Sequence, residues 1–164
     1  MIGDSVRRVE DPVLLRGQGR FVDDLSLPGQ VHMRVVRAPV AHGRIVRVDV
    51  SAALDSPGVV AVWTHADVAS LPPIDFRMSA RPELLPYRQR VLAADTVRYV
   101  GEPVAAVFAT GPYEAEDAAD LVDLQLDPLQ PIVRSDDEPR PWPVDGGEAG
   151  LTSEASVFEN GYGD

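Results

Sequence analysis

Residues 104–109, Val-Ala-Ala-Val-Phe-Ala, constrain this chain more than any other stretch, because Gly111-Pro112 and a helical pattern follow directly. Six consecutive apolar residues with no polar alternation fit a central strand covered on both faces. In the segment after it, Ala115, Ala118, Ala119 and Val122 recur at helical spacing and form one narrow apolar face. Pro112 suits a first helical turn, and Glu114, Glu116 and Asp117 complement the positive end of the helix dipole. Small alanine side chains let such a helix lie close against a sheet. Leu121, Leu124 and Leu126 then lead into another strand before Asp127-Pro128, giving a βαβ-like stretch from 104 to 126.

Shorter elements precede it. Residues 1–19 are polar, end in Arg16-Gly17-Gln18-Gly19 and read as an extended N-terminal arm. Phe21-Val22-Asp23-Asp24 fits a short strand closed by a turn at Leu27-Pro28-Gly29. Residues 30–37 alternate, with Val31, Met33 and Val35 on one face and His32 and Arg34 on the other, so a half-buried strand is expected. Residues 44–50 alternate likewise, with Val46, Val48 and Val50 opposite Arg47 and Asp49. Ser51 is placed as the cap of a short helical turn halted by Ser56-Pro57-Gly58. Residues 59–63 read as a buried strand, and Thr64 caps a helix over 66–71. Residues 72–90 hold Pro72, Pro73, Pro82 and Pro86 without apolar periodicity, which predicts an excursion or long surface loop. Structure resumes at 97–100 and turns at Gly101-Glu102-Pro103. From 135 to 164, acidic residues, prolines and Gly146-Gly147 dominate, and a linker is expected. The pattern is an α+β (mixed α/β) domain over 20–134, with a mixed sheet, one main packing helix and short helical turns.

A chain of 164 residues with 45% hydrophobic content can bury a core without metal or disulfide staples. The absence of cysteine excludes disulfides, thiolate metal sites and cysteine-ligated iron–sulfur clusters within it. A net charge of −11 opposes binding to a phosphate backbone, so nucleic acid is not an expected partner. No apolar stretch is long enough to span a membrane, and the first twelve residues lack the apolar centre of a signal peptide. A cytoplasmic location fits, although a chain without cysteine suits any compartment.

Few residues offer chemistry. The histidines, His32, His42 and His65, show no helical i, i+4 pairing of the kind a metal site uses. Asp23-Asp24 and Asp136-Asp137-Glu138 are sequence neighbours, whose side chains diverge, and solvated charge explains them better than an acid/base pair. No Gly-x-Ser-x-Gly elbow exists. Gly17-Gln18-Gly19 lacks both the preceding strand and the third glycine of a dinucleotide-binding loop. Gly101-Glu102-Pro103 is accounted for as a tight turn. No residue is assigned to catalysis, cofactor binding or metal ligation.

An ordered set of motifs adds a family. Arg8-Val9-Glu10-Asp11-Pro12 leads to Leu15-Arg16-Gly17-Gln18-Gly19-Arg20-Phe21-Val22-Asp23-Asp24, then Leu27-Pro28-Gly29-Gln30-Val31-His32 and Arg37-Ala38-Pro39-Val40-Ala41-His42-Gly43-Arg44-Ile45. Pro57-Gly58-Val59-Val60-Ala61-Val62, Val97-Arg98-Tyr99-Val100-Gly101-Glu102-Pro103-Val104-Ala105 and Ala115-Glu116-Asp117-Ala118-Ala119-Asp120-Leu121-Val122 follow. In this order they resemble the N-terminal α/β-hammerhead domain of molybdenum hydroxylase large subunits, the xanthine dehydrogenase, aldehyde oxidase and carbon monoxide dehydrogenase family. The resemblance covers nearly the whole chain; Val157-Phe158-Glu159-Asn160-Gly161-Tyr162-Gly163-Asp164 looks like a passage into a next, molybdopterin-binding domain. Val40 and Gly43 depart from the aromatic or histidine and the alanine frequent there.

The resemblance implies an oxidoreductase that uses a molybdenum-pyranopterin cofactor and passes electrons to iron–sulfur clusters and often FAD on partner subunits or domains. It also implies that the pterin-binding segments and active-site glutamate lie C-terminal to the hammerhead, so this chain is expected to serve as a structural and docking domain without a catalytic site of its own. The alternative is a free-standing binding or interaction module that keeps the fold. Purified alone, the chain is expected to be colourless and free of metal and flavin after gel filtration. Stoichiometric molybdenum, or a visible absorption band that stays with the protein, overturns that expectation.

Overall fold

The computed structural model describes residues 3, 8–75, 88–134, 136–137, 141–142 and 150–152. The chain forms two compact units, Met1–Gln30 and Val31–Asp164.

In the first unit the expected extended arm contains one helical turn, α1 (Asp11–Leu14). Pro12 presets the backbone of that turn, and Gly17 ends it at φ 66°, a left-handed conformation that glycine adopts without strain. The amide of Gly17 donates to the Leu14 carbonyl and that of Gln18 to the Val13 carbonyl, both at 3.0 Å, closing the helix end. The strand expected at 21–24 is instead a 3-10 turn, Val22–Asp24. Its cause is local, since the Asp24 carboxylate accepts the Phe21 amide at 2.9 Å and folds the segment back. The turn at Leu27-Pro28-Gly29 stands, with the Gln30 amide on the Leu27 carbonyl at 3.0 Å.

The second unit holds the core. Its elements are β1 (His32–Arg37), β2 (Gly43–Asp49), α2 (Ser51–Leu54), β3 (Val59–Trp63), α3 (His65–Val68), β4 (Thr96–Val97), β5 (Pro103–Ala109), α4 (Pro112–Asp120) and β6 (Asp123–Pro128). The first sheet has the order β1-β5-β3 and the second β4-β2-β6. The strand pairings are antiparallel. The βαβ-like reading of 104–126 is therefore corrected. After β5, α4 carries the chain to β6 in the other sheet, so β5 and β6 are not parallel neighbours. The α+β hammerhead class stands.

Helix α4 opens at Gly111 with Pro112 in its first turn, as expected. It lays Ala118 and the neighbouring Val122 on Val107 and Val62, and Ala53 of α2 completes this first core. Ala118, Val107 and Ala53 are fully buried. Ala115 is buried as well, whereas Ala119 is half-buried at the margin. A second core gathers Ala38, Ala93, Val97 and Val104, with Ile45, Leu124 and Leu126 packed on it. Val48 of β2 touches both cores.

Several strand faces differ from their sequence reading, and bulges account for two of them. Between Ile45 and Arg47 the register against β6 shifts, so Ile45 and Val48 turn inward and Val46 is left 63% exposed. A similar shift between Val59 and Ala61 leaves Val60 exposed. With β3 at the sheet edge, only Val62 in it is buried, not the whole run. In β1, Val36 and not Met33 and Val35 faces the α4 side, where Arg34 also pairs with Glu116 at 2.9 Å, and Val31 lies before the strand and is exposed.

The short helices depend on aspartates. Ser51 is not the cap of α2 but its first residue; the Asp49 carboxylate accepts its amide at 3.0 Å and its hydroxyl at 2.6 Å. Those two bonds, the hydroxyl's first, hold the Asp49 pKa below its usual value, with Arg47 adding to them and desolvation opposing. Thr64 does cap α3, which is shorter than the 66–71 expected. Asp67 accepts the Thr64 amide at 2.7 Å and its hydroxyl at 3.1 Å, and both bonds lower its pKa, the amide's most.

Of the 72–90 excursion, residues 76–87 lie outside the described residues. Its ends are tied together by a bridge between Ile74 and Gln89 and by Arg88 gripping both carboxylate oxygens of Asp75, at 2.9 and 2.6 Å. Leu92 and Ala93 just after it are buried, a contribution the sequence reading left out. Of the expected strand at 97–100 only its start is regular, in β4, before a turn in which Gly101 takes φ 87°. In the linker region, β7 (Pro141–Trp142) pairs with β8 (Gly150–Thr152).

The turn before β5 hides an ion pair. Glu102 is 3% exposed; its carboxylate accepts the backbone amide of Arg98 and lies 3.5 Å from the Arg98 guanidinium, itself nearly buried. The Glu102 carbonyl takes the Ala38 amide at 2.9 Å, so this turn anchors the end of β1.

Two sets of urea melts test this packing. Ala118→Leu overfills the contact between α4 and β5 and is expected to cost about 1–3 kcal/mol. Val107→Ala opens a cavity there and is expected to cost on the order of 1–3 kcal/mol. Asp120→Asn and Asp123→Asn, at exposed positions, are expected to shift stability by less than about 0.5 kcal/mol. Equal effects across the four variants refute the packing. Separately, Glu102→Ala removes the acceptor of the Arg98 amide and the carboxylate beside its guanidinium, which keeps the Thr96 carbonyl at 2.9 Å, and is expected to cost about 1–3 kcal/mol. Glu102→Gln keeps an acceptor oxygen and is expected to recover part of that loss; a Glu102→Ala melt like wild type refutes the role.

Candidate functional site

Four of the side chains that the sequence offers for chemistry, His42, His65, Asp24 and Asp137, are engaged in holding local backbone. In the second unit, His42 bonds through Nδ1 to the Val97 carbonyl at 2.9 Å, stitching the start of β2 to β4. Through its own Nδ1, His65 bonds to the Leu92 carbonyl at 3.2 Å and fastens α3 to the buried segment after the excursion. His32 sits half-buried in β1 opposite Ala109. The three histidines thus lie on different elements and do not converge. Among the described residues there is no group of three or more His, Cys, Asp and Glu side chains able to hold a metal ion.

The carboxylate pairs are likewise separate. Asp24 closes the 3-10 turn of the first unit, and Asp23 beside it is exposed. Asp136 pairs with Arg134 at 2.8 Å, a contact that lowers the aspartate pKa and raises that of the arginine. Asp137 accepts the amides of Val133 and Arg134 at 2.9 Å, and Glu138 lies outside the described residues. Gly17 and Gly19 do not cradle a phosphate. The first ends α1, and a side-chain carbon on the second would come within 2.7 Å of the Leu14 side chain.

Glu102 is the residue that the sequence reading missed. Its neighbours Gly101 and Pro103 account for a turn, which the structure bears out, yet they do not foretell a buried carboxylate. The hint available was the arginine four residues earlier, which a tight turn brings back onto the glutamate. A buried pair of this kind fixes backbone positions and offers no open site for a substrate.

What the second unit presents outward is a surface. In the first sheet, α4 covers one face. On the other, cross-strand register places Met33 beside Phe108, Phe108 beside Ala61, Val35 beside Ala106 and Ala106 beside Trp63. The Trp63 and Phe108 rings pack 4.6 Å apart with their planes tilted by 59°. Burial falls along β5 from Val104 and Ala106 to the half-buried Phe108, so the face opens toward the His32 end of the sheet. A shallow cleft, lined by residues 33–37 with Ala119 and Asp120, runs where β1 meets the end of α4. No helix among the described residues is long and apolar enough to cross a membrane.

Comparison with known proteins agrees with this fold. Residues 16–130 match the family model described as aldehyde oxidase and xanthine dehydrogenase, a/b hammerhead domain. The chain is similar to the nicotine 6-hydroxylase large subunit of Paenarthrobacter nicotinovorans, 41% identical over 150 residues, covering 90% of this chain and 18% of that protein. It is also similar to the carbon monoxide dehydrogenase large chain of Hydrogenophaga pseudoflava, 38% identical, over 80% of this chain and 16% of that one. Among solved structures, reconstituted CO dehydrogenase from Oligotropha carboxidovorans superposes with a TM-score of 0.68 at 38% identity, over 80% of this chain and 16% of that chain. The chain therefore spans about a fifth of the length of the curated relatives that it matches. By the family match across residues 16–130 and the fold that carries it, this chain belongs to the aldehyde oxidase and xanthine dehydrogenase hammerhead family, within the molybdenum hydroxylase large subunits.

Proposed function

We propose that this chain is a structural and docking domain of a molybdenum hydroxylase, an oxidoreductase of the xanthine dehydrogenase and aldehyde oxidase type, and carries no catalytic residue of its own. The observation that supports this reading most is one of proportion: the hammerhead match takes in most of the chain, while the chain accounts for only 14–21% of its relatives. Relatives bear names such as large subunit, large chain, and subunit gamma of a dehydrogenase complex. In this reading residues 20–134 are the hammerhead, residues 1–19 an arm, and residues 135–164 a lead toward a molybdopterin-binding domain or subunit.

The molybdenum-pyranopterin, iron–sulfur and flavin groups belong, on this proposal, to those partner domains or subunits in the cytoplasm. In support, the chain has no cysteine to hold an iron–sulfur cluster, and its described residues include no group of three or more His, Cys, Asp and Glu side chains able to hold a metal ion. What the domain supplies instead is a body with two hydrophobic cores.

Purification from the native host tests the proposal. The 164-residue sequence is expected to elute with molybdenum and with polypeptide matching the remainder of a large subunit, in the same chain or a separate one. Mass spectrometry and metal analysis of the eluted material read this out. A chain that runs alone at 17.7 kDa without molybdenum refutes it.

A further inference from the structure

We draw no further inference here: the strongest candidate, the shallow cleft where β1 meets the end of α4, is lined by Arg34 and Arg37, whose guanidinium groups already bond to Glu116 and to the Gly101 carbonyl, and nothing in the structure shows what covers it.

Discussion

The second unit depends on how closely a helix of small side chains approaches a strand of branched ones. Ala115 and Ala118 of α4 are buried, and Val107 of β5 beneath them has no exposed surface at all. At that spacing a single added methylene group has nowhere to go. The contact also sets the chain's path, because only Thr110 and Gly111 separate the end of β5 from the start of α4. The helix must fold directly back over the strand that precedes it. It then delivers β6 to the second sheet, where Leu124 and Leu126 complete a different core.

Two cores in so small a body invite independent motion, and Val48 opposes it. Its side chain packs with Val36 and Val50 around the first core and with Ile45 around the second, so neither sheet can shift without disturbing both. The Glu102 turn acts in the same sense, holding the end of β1 through the Ala38 amide while its carboxylate fixes Arg98 next to β4.

Much of this was legible in the sequence, for reasons that differ by element. Strand β5 and helix α4 announce themselves because their patterns are long and local. The hammerhead family was legible in the order of the motifs, not in any one of them. What stayed hidden needed three-dimensional context. The bulge that ejects Val46 arises from register against β6, which lies about 80 residues away in the chain. Val36 faces the helix because β5 pairs with β1 and α4 covers one side; alternation alone gives two faces and does not say which is covered. The turn at 22–24 depends on one carboxylate reaching one amide. As for function, the sequence offered histidines and aspartates in places where catalysis was not expected, and His42, His65, Asp24 and Asp137 are spent on backbone hydrogen bonds.

Strand β1 forms one border of the first sheet, and its exposed side chains include Arg34 and Arg37. A bare strand border is a template on which other chains can stack by backbone pairing, and interspersed cations discourage that growth. Lysine would serve at neutral pH but loses its proton in alkali. Guanidinium groups keep their charge throughout the range in which a protein stays folded. The guard against fibre-like stacking is therefore permanent.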